Sequence, residues 1–124
     1  MPLDPRWKAF AENDLFSAEV LLREKVWNQV CFHSQQCVEK LLKGSLPADA
    51  RPRTHKIADL VRLTDFLALD NDLKAELRLL DRFYIPSRYP DALPGTLEEG
   101  MPSQKDAEVS IEAAKWLMST FGEY

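Results

Sequence analysis

The feature that most constrains the fold is a stripe in the stretch from Trp27 to Gly44. Trp27, Val30, Cys31, Ser34, Cys37, Val38, Leu41 and Leu42 recur at steps of three and four. That period places one apolar face on an α-helix and excludes a half-buried strand. Gln29, His33, Gln36, Lys40 and Lys43 lie on the other side, about 180° away at roughly 100° per residue, and read as a solvated face or, since two consecutive glutamines and a histidine are less typical of bare surface than Glu and Lys, as a dimer or ligand contact. Gly44 is placed to stop the helix.

Four further segments follow the same period. Trp7, Phe10, Ala11, Leu15, Ala18, Leu21 and Leu22 form a first stripe, parted from the second by a short break around Glu24 to Val26. Thr54 is placed to cap a third helix with Ile57, Leu60, Val61 and Thr64 or Leu63 inward. A fourth helix fits after Asp70, on Leu73, Leu77, Leu80 and Tyr84. Ser103 caps a fifth, with Asp106 three residues on as in a capping box, and Ala107, Ile111, Ala114, Met118 and Phe121 as its stripe. No run alternates with period two, and no repeat or low-complexity tract interrupts the pattern. The expected fold is all-α: an up-and-down antiparallel bundle of about five helices, one domain over residues 1–124.

Between the fourth and fifth helices the periodicity stops for about 19 residues, Tyr84 to Pro102. Four prolines and two glycines bar a regular element there, and long aperiodic loops in small domains are usually functional or disordered. Arg88, Tyr89 and Asp91 sit in this stretch. A guanidinium makes two parallel bonds to a phosphate, and a tyrosine face stacks a base. The bland alternative is an Arg88–Asp91 pair that anchors the loop while Tyr84 and Tyr89 plug the core.

Composition narrows the class. With 45% hydrophobic and 29% charged residues the chain reads as globular, and no apolar run approaches the roughly 20 residues of a membrane helix. The N-terminus lacks the basic and apolar segments of an export signal, which points to the cytoplasm. Cys31 and Cys37 stand six residues apart on one helix, about 9 Å of rise, too far to bridge; reduced core thiols are expected. His33 and Cys37 are one turn apart, but no third ligand accompanies them, so neither metal nor cofactor is expected. A net charge of −4 disfavours broad attachment to nucleic acid. Local cations remain: Arg51, Arg53 and Lys56 in one place, Arg78 and Arg82 in another.

The order of "ENDLFSAEVLL", "CFHSQQCVEKLLKGSL", "RPRTHKIADLVRL" and "LDRFYIPSRYPDA" resembles the HEPN domains (higher eukaryotes and prokaryotes nucleotide-binding), from about Trp7 to Phe121. The resemblance implies a helical bundle that usually dimerises around a shared cleft and binds nucleotides or RNA. Many such domains are metal-independent ribonucleases with an arginine followed, after four to six residues, by a histidine. Many work beside a small nucleotidyltransferase as toxin and antitoxin. Arg88 matches the arginine, but the histidine positions hold Leu93, Pro94 and Gly95. None of these moves a proton, and losing a general acid or base costs about 10² to 10⁴ in rate.

Three readings follow. The first is a dimeric, non-catalytic nucleotide- or RNA-binding module using Arg88, Tyr89, Asp91, Tyr84, His33, Gln36 and Lys40, with a nucleotidyltransferase partner. The second is a ribonuclease toxin in which Arg88 is catalytic and His33 or another group replaces the missing histidine. The third is a dimerisation or protein-interaction domain.

Overall fold

A computed structural model of the chain describes residues 3–83 and 102–122. Its α-helices are α1 (Pro5–Arg23), α2 (Trp27–Ser45), α3 (Ile57–Leu63), α4 (Asn71–Leu79) and α5 (Gln104–Thr120), with 3₁₀ turns at Ala48–Ala50, Asp65–Leu67 and Leu80–Phe83. The described residues contain no strand, so the all-α expectation holds. None of their helices is long and apolar enough to cross a membrane.

α2 is the central helix. It packs against α1, α5, α3 and the turn Leu80–Phe83, and α5 also touches α1 and α4. Val30, Cys31, Ser34, Cys37, Val38, Leu41 and Leu42 are fully buried, as the stripe requires. Burying a large apolar side chain contributes about 1.5–3 kcal/mol, so this row anchors the bundle. Both cysteines are free thiols.

The ends of the helices differ from expectation where tertiary contacts decide them. α2 runs through Gly44 to Ser45 rather than stopping. A Cβ on Gly44 would meet Trp7 Cβ at 2.6 Å, so the glycine is there to let α1 approach. The α1–α2 reversal is made by Lys25 at φ 63°, a left-handed conformation that non-glycine residues seldom adopt. Thr54 does not cap α3. The first N–H groups of that helix, on Ile57 and Ala58, donate to the carboxylate of Asp81 at 2.6 and 3.0 Å. Thr64 rather than Leu63 is the inward residue after Val61. Asp70 caps α4, and Ser103 with Asp106 forms the expected capping box on α5.

Candidate functional site

The site begins with a carboxylate on α1. Asp14 lies three residues after Ala11 and four before Ala18, on the buried side of its helix, and only 8% of it is exposed. A carboxylate in such a place needs partners. They come from α2: Asp14 Oδ1 is 2.8 Å from His33 Nδ1, and Asp14 Oδ2 accepts from the ammonium of Lys40. His33 and Lys40 are two helical turns apart, and the antiparallel pairing of α1 and α2 brings one carboxylate between them. About a quarter of each basic side chain remains open to solvent.

The arrangement fixes the imidazole. With Nδ1 engaged by the carboxylate, Nε2 makes no hydrogen bond among the described residues, and the Phe32 ring stands edge-on to the imidazole at 5.3 Å. Lys40 likewise holds Asp14 with one donor and keeps others for an anion. Lys40 also lines an open groove of about 350 Å³ shared with Arg6, Trp7 and Phe10.

The rest of the polar row is not solvated surface. Among the described residues no position of α2 is fully exposed: Gln29, His33, Gln36 and Lys40 are half-buried and Lys43 is buried. α1 flanks one side of the helix, and on the other Gln35 donates to the carbonyl of His55. Gln36 donates to Gln35 at 2.7 Å, Lys43 pairs with Glu39 at 3.2 Å, and His55 Nδ1 lies 3.2 Å from the same Glu39. Together these contacts tie α2 to the segment before α3, so Gln36 is turned to structure rather than joined to the Asp14 cluster.

The two basic clusters are likewise engaged in part. Arg51 donates to the Lys43 carbonyl at 2.7 Å, pairs with Asp4 at 3.3 Å and stacks 5.1 Å over the Trp7 ring. It pins the end of α2 to the start of α1, where the Arg6 guanidinium holds the Asp4 carboxyl down at about 2. Arg82 lies 5.0 Å over Phe83 and 4.0 Å from Asp106. Arg53, Lys56 and Arg78 are exposed.

Burial pushes the Cys31 thiol up to about 12 and raises that of Cys37 as well, so neither is a nucleophile near neutral pH. No group of three His, Cys, Asp or Glu side chains among the described residues is placed to hold a metal ion. Arg88, Tyr89, Asp91 and Tyr84, with Leu93, Pro94 and Gly95, lie outside the described residues. Of the expected site residues, the structure thus brings His33 and Lys40 together and sets Gln36 apart. Asp14, the group that joins the two, was not anticipated.

The HEPN domain family model matches residues 5–124. The protein named "Putative toxin MJ1304" from Methanocaldococcus jannaschii is 29% identical over 123 residues, covering 85% of this chain and 81% of that protein. The crystal structure of TT1696 from Thermus thermophilus matches with a TM-score of 0.80 at 29% identity, over 94% of each chain. That of ST0689, described as an archaeal HEPN homologue, matches with a TM-score of 0.71 at 31% identity, over 98% of each chain.

Proposed function

The chain belongs to the HEPN domain family, and from that premise we propose that it is a toxin-like module that binds a nucleotide or an RNA segment without cutting it. In this reading it acts as a homodimer, in the cytoplasm, beside a small nucleotidyltransferase. The name carried by the M. jannaschii relative supports the toxin-like part. The observation that carries the binding part is the convergence of Lys40 and His33 on Asp14. It presents an ammonium and an imidazole at one half-open edge, held in place before any ligand arrives. Fixed donors lose less freedom on binding than loose ones, so such an edge suits phosphate oxygens. Arg88 and Tyr89 add a guanidinium for a second phosphate and a ring for a base, with Asp91 and Tyr84 beside them in the chain. The lack of a histidine at Leu93, Pro94 and Gly95 supports binding over cleavage.

One observation favours a second reading. A carboxylate at 2.8 Å from Nδ1 orients an imidazole so that Nε2 can exchange protons with a substrate, and this suits His33 to replace the missing histidine in a ribonuclease. Anisotropy titration of a labelled single-stranded RNA, followed by incubation in chelator, separates the two. The binding reading expects association that Arg88→Ala and Lys40→Met each weaken about 10- to 100-fold, in line with hydrogen bonds to charged groups, with helix content kept and the RNA intact. Scission by the wild type that His33→Ala abolishes would replace this reading with the ribonuclease.

A further inference from the structure

Beside the Asp14 cluster, and sharing Lys40 with it, lies a groove whose other residues the proposed function does not use. The groove lined by Arg6, Trp7, Phe10 and Lys40 combines two aromatic and two cationic side chains. Its volume, about 350 Å³, falls in the range of small-molecule sites. Phe10 is 63% exposed, although the stripe of α1 led us to expect it inside. A single exposed phenylalanine needs no explanation. An exposed phenylalanine in a concavity next to tryptophan, arginine and lysine has a more particular chemistry.

The charges here are unequal. Arg6 and Arg51 both pair with Asp4, and Lys40 pairs with Asp14. Two of these cations, Arg6 and Lys40, line the groove, and Arg6 shares its one carboxylate with Arg51. The side chain of Arg6 is 82% exposed and keeps donors beyond those used on Asp4. The Trp7 ring already carries the Arg51 guanidinium, which leaves Phe10 as the aromatic surface most open to a ligand. Apolar planes beside cations fit a flat aromatic group attached to anions. A purely apolar peptide segment would use the walls and leave the remaining donors of Arg6 and Lys40 unused.

We infer that this groove is a base-stacking subsite for single-stranded RNA, in which a nucleobase lies on Phe10 while the flanking phosphates meet Arg6 and Lys40. The inference rests on the RNA-binding reading and deepens it. Lys40 joins the two places, since its ammonium holds Asp14 and its side chain lines the groove. The strand then runs along the α1–α2 edge, from the Arg6 end toward His33.

The test is the affinity of wild type, Phe10→Ala and Phe10→Trp for a labelled single-stranded RNA over a range of salt, with inorganic polyphosphate as a second probe. Phe10 is exposed, so its replacement leaves the fold intact, which circular dichroism checks. Base stacking on an aromatic residue predicts that Phe10→Ala weakens RNA binding about 5- to 150-fold and that Phe10→Trp restores it. Because no charge changes, the salt slope should stay the same and polyphosphate should bind both variants like wild type. If Phe10→Ala binds RNA as well as wild type while Lys40→Met is weakened, the stacking subsite is wrong and the RNA-binding reading stands. Equal loss of RNA and polyphosphate also overturns the subsite. A wild type that binds no RNA overturns both.

Discussion

Asp14 does at one carboxylate what usually takes two: it satisfies a histidine and a lysine from the neighbouring helix while staying almost out of water. Asn in its place keeps the shape but removes the charge, leaving a partly buried ammonium without its counter-ion. We expect Asp14→Asn to lower stability by about 1–3 kcal/mol, toward the lower end because His33 and Lys40 each keep some solvent. Urea denaturation followed by helical circular dichroism measures it, and an unchanged midpoint would reduce the cluster to a surface ion pair. His33 was legible in the sequence because a histidine beside two consecutive glutamines is unusual on a bare helix face, and Lys40 because it shares that face. Asp14 was not, because the stripe of α1 was drawn through its apolar residues, with Lys8, Glu12, Glu19 and Arg23 between them and Asp14 in neither set. The available signal was an acid at a stripe position, three residues from Ala11 and four from Ala18. Phe10 shows the converse error: it stands one residue, about 100° of helix, from Ala11, and the rotation takes it out of the core.

Elements were legible by their faces and less so by their ends. The period of three and four fixes which side of a helix is apolar, but a helix end is decided by whatever reaches it from elsewhere in the chain. Asp81 caps α3 from 24 residues downstream, a partner no local pattern reveals, and Thr54 instead bonds Asp59 at 3.0 Å. Gly44 looked like a stop signal and is a contact. This has a measurable consequence at the α1–α2 crossing. Alanine is the better helix former by about 1 kcal/mol, so an exposed glycine inside a helix would gain from Gly44→Ala. Here the new Cβ meets Trp7 Cβ at 2.6 Å and Leu3 Cδ1 at 3.0 Å. Trp7 Cβ is fixed to its backbone, so α1 itself must move. Overpacking of this kind costs about 1–3 kcal/mol, enough to cancel the propensity gain and exceed it. We expect Gly44→Ala to lower the thermal midpoint, and a raised midpoint would mean that α1 shifts at no cost.

At the scale of the molecule, α2 is surrounded closely enough that its polar residues emerge only along narrow edges. The edge shared with α1 carries both Asp14 and the Arg6–Lys40 groove, so position in the bundle, more than overall charge, makes that line a candidate for a polyanion. The family resemblance adds an expectation that no single chain can express: two copies around one cleft, each contributing Arg88. Static light scattering of the purified protein should then return twice 14.2 kDa and hold that mass on tenfold dilution in the micromolar range. A symmetric dimer buries the same patch on both copies, and exposed Phe16, Phe66 and Trp116 give apolar surface on three separate elements from which to build it. A mass of 14.2 kDa would remove the shared cleft, and with it any role for Arg88 that depends on a second copy. The α1–α2 edge would survive that result unchanged, because Asp14, His33, Lys40 and Phe10 all come from one chain. RNA binding by a monomer would therefore move the weight of the functional reading from Arg88 onto this edge.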